Sequence, residues 1–174
     1  MLNENPETLF KQWLRDYGGT VLKVARAYTL TAEDGQDLAQ EILLQVWRSL
    51  PQFEGRASPS TWFYRVALNT ALGWHRKEGR RRVRQQPLLE PEELPVSGLD
   101  SGQELQQREM VERLYAAIHQ LPKADAALLL LYLDDLSYRD IGEVLGISEN
   151  HVGVKLTRAK KALGELMKEV VHES

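Results

Sequence analysis

The stretch Ser137-Tyr138-Arg139-Asp140-Ile141-Gly142-Glu143-Val144-Leu145-Gly146-Ile147-Ser148-Glu149-Asn150-His151-Val152 decides the fold of the C-terminal part of this chain. Ser137 with Asp140 fits a capping box, in which a hydroxyl satisfies a free backbone N–H at the start of a helix. The helix it opens runs from Tyr138 to Leu145. Gly146 follows where a helix end needs positive φ, Ile147 fills the turn, and Ser148 caps the next helix. Ile141, Leu145, Ile147, Val152 and Leu156 supply apolar contact between the pair, and small Gly142 lets them cross closely. Caps, turn and spacing together predict a helix-turn-helix, whose second helix enters a major groove of duplex DNA. On that helix Val152, Leu156, Ala159 and Leu163 face inward. Glu149, Asn150, Gly153, Val154, Thr157 and Arg158 face outward, flanked by Lys155 and Lys160. His151 is read as a turn or phosphate-side residue. A helical hairpin with a solvated basic face is the blander account of the same residues.

A second nucleic-acid signal lies upstream. Ser58-Pro59 opens a helix with an N-cap and a proline at the first helical position. It then reads Trp62, Phe63, Tyr64, Arg65, Asn69, Trp74, His75, Arg76, Lys77, Arg80, Arg81, Arg82 and Arg84. Rings stack on unpaired bases while cations follow phosphates, so this mixture suits single-stranded nucleic acid. Trp62, Val66 and Ala67 are expected to pack inward, and for Trp62 and Phe63 a core role competes with base contact.

Every other strong periodicity is also helical, and the fold class is all-α. A first helix follows Pro6 and buries Leu9, Phe10, Trp13, Leu14 and Tyr17. Beyond Gly18-Gly19, a candidate kink, its pattern resumes at Val21, Val24, Ala25 and Tyr28. A second runs from about Glu33 to Leu50, with Leu38, Ile42, Val46 and Trp47 at helical spacing, and Pro51 stops it. Residues 85–103 contain Pro87, Pro91, Pro95, Gly98 and Gly102 among acidic residues, which reads as an extended linker. Helices near 104–119, 123–133, 138–145 and 149–168 follow. The organisation is two small helical domains, residues 1–84 and 104–174, joined by a flexible acidic tether. Its 19 residues reach roughly 63–68 Å at full extension.

Composition bounds the function. The net charge of −3 conceals a strong asymmetry: residues 1–50 carry −2, residues 51–86 +6, residues 87–112 −6 and residues 113–174 −1. Different segments therefore suit different partners. There is no cysteine, and the four histidines show no ligand spacing, so no metal and no cofactor are expected. No nucleophile–base pair, phosphate loop or carboxylate–histidine cluster stands out, so no catalytic residue is assigned. The longest uncharged apolar run, Ala126 to Leu133, is too short to span a bilayer. The N-terminus carries neither a basic nor an apolar stretch, and the expected location is the cytoplasm.

These residues together resemble the extracytoplasmic-function (ECF) class of sigma-70-type RNA polymerase sigma factors over nearly the whole chain. Asp37-Leu38-Ala39-Gln40-Glu41 and Val46-Trp47 are similar to a stretch of region 2. Gly55-Arg56, Ser60-Thr61-Trp62 and the basic stretch Arg76 to Arg84 continue it. Leu121-Pro122 and Leu136-Ser137-Tyr138 are similar to region 4. The resemblance implies an alternative sigma factor that brings core polymerase to promoters and opens the −10 element. It implies polymerase contact, at the clamp helices, by Asp37, Leu38, Glu41, Gln45, Val46 and Trp47. It implies that Arg56, Ser60, Trp62, Arg65 and Asn69 capture an unpaired −10 base, while Trp74, Arg76, Lys77, Arg80 and Arg81 hold the flanking backbone. Tyr138, Arg139, Glu149, Asn150, His151, Val154, Lys155 and Arg158 would read the −35 element. The polymerase flap region and an anti-sigma factor are further implied partners, and the linker would pass near the RNA exit path.

Two positions depart from the family pattern. Pro59 stands where phenylalanine is common, and Gly153 and Val154 stand where an arginine and a small polar residue are usual. A bidentate arginine–guanine contact is therefore unavailable there. Apolar contact with a thymine methyl, or readout of DNA shape, would have to substitute. The competing reading is a free-standing helix-turn-helix regulator, which leaves the basic aromatic helix without a role.

Overall fold

The computed structural model describes residues 5–84 and 102–172, with side chains over 5–80 and 102–169. The expected linker lies almost wholly outside these residues, as do the side chains of Arg81, Arg82 and Arg84. Seven α-helices make up the described chain: α1 Pro6–Tyr28, α2 Ala32–Ser49, α3 Pro59–Arg84, α4 Gly102–Gln120, α5 Lys123–Leu133, α6 Tyr138–Leu145 and α7 Glu149–His172. Each boundary has a local cause. The Asn5 side chain accepts from the Glu7 N–H at 3.1 Å to start α1, and Thr31 does the same for Asp34 at 3.1 Å to start α2. Pro51 follows α2 inside a single 3-10 turn, Leu50–Gln52. Ser58 Oγ accepts from the Thr61 N–H at the start of α3. The helix α1 runs unbroken through Gly18-Gly19.

Helices α1, α2 and α3 pack around Trp13, Val24, Leu38, Ile42, Val46, Phe63 and Ala67, and α4 to α7 around Ile118, Leu128, Leu131, Ile141, Val152 and Leu156. One expected core residue is not core: Leu14 is 40% exposed. The two groups form one continuous apolar cluster, because α1 also meets α4 and α5 while α3 meets α6.

Polar contacts complete that junction. The Asp134 carboxylate, just past α5, accepts hydrogen bonds from Lys23 of α1 and Tyr64 of α3, and Thr20 Oγ1 lies 3.2 Å from it. The Tyr28 hydroxyl donates to the Lys123 carbonyl at 2.9 Å. His119 Nε2 donates to the Arg26 carbonyl at 2.7 Å, and the Arg26 guanidinium sits 4.3 Å above the Tyr115 ring.

Candidate functional site

The helix-turn-helix has the predicted chemistry. Ser137 Oγ accepts from the Asp140 N–H at 3.1 Å and donates to its carboxylate at 2.7 Å. Gly146 is left-handed at φ 71°, and the Gly146 and Ile147 N–H groups both return to the Gly142 carbonyl. A β-carbon at Gly142 would stand 2.6 Å from the Ile147 carbonyl oxygen, so only glycine permits the crossing of α6 and α7. Ser148 Oγ accepts from the His151 N–H at 3.2 Å to begin α7. Val152, Leu156 and Ala159 are buried, whereas Glu149, Asn150, His151, Val154, Lys155, Thr157 and Arg158 face solvent. Tyr138 and Arg139 are exposed at the start of α6, and the Tyr138 ring lies beside Gly153 of α7. All eight residues expected to read duplex DNA are thus accessible.

On α3 the aromatic question divides. Phe63 is 1% exposed and Tyr64 5%, so both belong to the core. Trp62 is half-buried, its ring 5.4 Å from Trp13 and 5.5 Å from Phe53. Arg65, Asn69, Arg76 and Arg80 are exposed at spacings of four, seven and four, which places them on one stripe about 22 Å long at 1.5 Å per residue. Lys77 is exposed beside it, and Trp74 packs half-buried against the core. At the start of the helix Ser60 Oγ lies 3.3 Å from Ser58 Oγ, and before it Arg56 pairs with Glu54 at 2.8 Å. The Arg65 guanidinium donates to the Glu143 carbonyl of α6, so α6 covers part of this stripe.

The expected polymerase face needs correction. Leu38 and Val46 are both 0% exposed, since their positions on α2 point at α1 and α3, and neither can touch a partner. Asp37 is exposed, and Glu41, one turn on, accepts from the Gln45 side-chain amide at 2.8 Å. Trp47 is 43% exposed, with its ring edge-on to Phe10 at 5.2 Å. Leu44, which sequence reasoning passed over, is exposed on the face of Asp37 and Glu41. An exposed leucine on an acidic helix face leaves no separate signal in amphipathic spacing. Among the described residues no group of histidines and carboxylates is arranged to hold a metal ion, and no helix is long and apolar enough to cross a membrane.

The families described as Sigma-70 region 2 and Sigma-70, region 4 match residues 13–81 and 111–163. The ECF RNA polymerase sigma factor SigX of Bacillus subtilis is 32% identical over 146 residues, covering 76% of this chain and 70% of that protein. The ECF RNA polymerase sigma-E factor of Haemophilus influenzae is 30% identical over 150 residues, covering 81% and 79%. The chain belongs to the ECF class of sigma-70 factors. Two solved structures share the fold of this sigma factor. The sigma factor RpoE in complex with the anti-sigma factor NepR, from Bartonella quintana, has a TM-score of 0.71 at 21% identity and covers 91% of this chain and 96% of its own. CnrH in complex with the cytosolic domain of CnrY has a TM-score of 0.64 at 18% identity, covering 94% and 90%. Membership makes the chain an alternative sigma factor, a partner of core RNA polymerase and promoter DNA, and removes the free-standing regulator.

Proposed function

We propose that the work of this sigma factor divides among three surfaces, with domain limits at residues 1–84 and 104–174. The exposed stripe Arg65, Asn69, Arg76 and Arg80, with Lys77 beside it, tracks the single-stranded −10 backbone, while Trp62, Ser60 and Arg56 flank the captured base. The exposed face of α7, with Tyr138 and Arg139 of α6, reads the −35 duplex. Asp37, Glu41, Leu44, Gln45 and Trp47 dock on the polymerase, the carboxylates giving charge complementarity and the apolar groups the buried area. The observation that carries the reading is the coexistence, in one chain, of a cationic stripe beside half-buried tryptophans and a complete helix-turn-helix.

In this reading the packed arrangement is the resting form. Arg65 commits one guanidinium N–H to the α6 backbone, and in this reading the halves part when polymerase binds, which frees it for phosphate. A sigma factor of this fold is held by an anti-sigma factor, and we assign this chain a partner of the same class. The cytoplasm, where polymerase and chromosome are found, is the proposed location. Run-off transcription with purified core polymerase on a promoter library tests the assignment. Transcripts that require the chain and start downstream of enriched −35 and −10 sequences are expected, and transcription indifferent to the chain would refute it.

A further inference from the structure

The centre of the recognition face is apolar, and its shape comes from a tyrosine that belongs to another helix. A β-carbon on Gly153 would lie 3.6 Å from Tyr138 Cε2 and 3.9 Å from Cδ2, so one edge of the Tyr138 ring rests on the bare backbone of α7. Tyr138 is 39% exposed, and Val154, the next residue on α7, is 49% exposed. Thr157 commits its hydroxyl to the Gly153 carbonyl at 2.9 Å, which leaves its methyl as the free end. Around this patch stand polar residues that suit DNA. Asn150 lies one turn before it, and Lys155 and Arg158 flank it, all exposed. A cation long enough to reach a guanine is absent from positions 153, 154 and 157.

We infer that the Tyr138 ring edge and Val154 form a single apolar reader for the C5-methyl of thymine in the major groove, with Gly153 as the seat that lets the ring reach it. The chemistry selects thymine because it alone presents a methyl group in that groove, whereas guanine and cytosine offer polar atoms that the patch leaves unpaired. Asn150 fits the same site, since its amide can pair bidentately with adenine N6 and N7. Shape readout does not account for the patch, because backbone contact alone gains nothing from exposed apolar surface at the middle of the face. The inference rests on the proposed reading of α7 as the duplex-facing helix.

The test uses holoenzyme assembled from the full chain and core polymerase. A library randomised over the −35 region is transcribed, and the best promoter is remade with deoxyuridine replacing each thymine in turn, which removes only the methyl. One or two adjacent positions should lose about fourfold in promoter binding, the contribution of one buried methyl group. Y138A and V154A should weaken the thymine promoter and become insensitive to deoxyuridine there. Y138F, which keeps the ring edge, should stay sensitive. G153L should displace the ring and mimic Y138A, and the double variant should add nothing to either single change. Wild-type holoenzyme that ignores deoxyuridine at every position, or Y138A and V154A variants that stay sensitive to it, would overturn the inference. A wild type that transcribes yet enriches no −35 sequence would overturn the reading of α7 itself, and this inference with it.

Discussion

The Asp134 carboxylate, in the part of the chain that matches region 4, accepts the hydroxyl of Tyr64, which lies on α3 in the part that matches region 2. Lys23 donates to the same carboxylate, whose side chain is only 13% exposed. A charge this enclosed is costly unless every lone pair is used. Among the described residues its side-chain partners, Thr20, Lys23 and Tyr64, all come from the other half of the molecule, so Asp134 is well satisfied only while the halves touch.

Changing Asp134 to alanine should therefore loosen the junction. Hydrogen bonds to a charged group contribute about 1.5–3 kcal/mol, which shifts the ratio of open to closed forms roughly 10- to 150-fold. The radius of gyration by small-angle scattering should rise. Apparent affinity for core polymerase should increase, by at most that factor, because less of the chain must be opened. A variant as compact as wild type with unchanged core affinity would refute the role of this contact.

Acid should open the junction in two steps. Burial lowers the His119 pKa below its ordinary 6.5, and this outweighs the opposing hydrogen bond to the Arg26 carbonyl; the nearby Lys123 and Arg26 charges lower it further. Burial would raise the Asp134 pKa, but hydrogen bonds from Lys23 and Tyr64 and the Lys23 charge hold it below the ordinary 3.8. Both folded values are depressed, so in each case the unfolded chain binds the proton more readily and stability falls with pH. The His119 contribution is complete above about pH 6.5 and is lost as pH falls through its lower folded value; the Asp134 contribution is complete above about pH 3.8 and is lost below it. Urea melts across pH 3–7 should show both steps. His119→Gln should remove the upper one and Asp134→Asn the lower one.

The helices were legible in the sequence because their ends carry local chemistry: Ser137, Gly146 and Ser148 act within a few residues of themselves. The helix-turn-helix face was legible for the same reason. The junction was not, since nothing near Asp134 in sequence marks Tyr64 or Lys23 as its partners. Leu38 and Val46 were misassigned to the polymerase face because a motif records which residues recur together without separating those that touch a partner from those that support the helix. Both are fully buried. Truncating Leu38 to alanine should cost about 2–5 kcal/mol of stability and report on folding.

Asp37 and Glu41 give the sharper test of polymerase docking. They lie one helical turn apart on α2, and neither bridges to a cation among the described residues. Reversing both to lysine should abolish co-elution with core polymerase. Circular dichroism should stay nearly unchanged, because Asp37 is exposed and Glu41 gives up only a bond to the neighbouring Gln45. Normal co-elution of the double variant would remove this face from the interface.

The cationic stripe predicts a salt dependence. Arg76, Lys77 and Arg80 are exposed, and each can neutralise one phosphate. Replacing all three with alanine should flatten the log–log salt slope for single-stranded −10 binding by about 2. Promoter opening should weaken in parallel. A slope identical to wild type would make these residues a solvated face.

The isolated chain should bind promoter duplex poorly, for two reasons that act together. Residues 113–174, which hold the helix-turn-helix, carry a net charge of −1, and phosphate neutralisation supplies most non-specific affinity. In addition, the packed halves commit one guanidinium N–H of Arg65 to the Glu143 carbonyl. Core polymerase changes both conditions. It supplies its own DNA contacts, and it fixes the separation of two domains that a long tether alone would leave at a low effective concentration. Gel shift on a cognate promoter should therefore show little sequence-specific binding by the chain alone, and permanganate footprinting should show unpaired thymines only once core is added. The Asp134→Ala variant separates the two causes. Opening the junction should raise single-stranded −10 binding by the isolated chain while duplex binding stays weak, because the charge deficit remains. Nanomolar sequence-specific duplex binding by the wild-type chain, indifferent to core, would refute the division of labour proposed for the two halves.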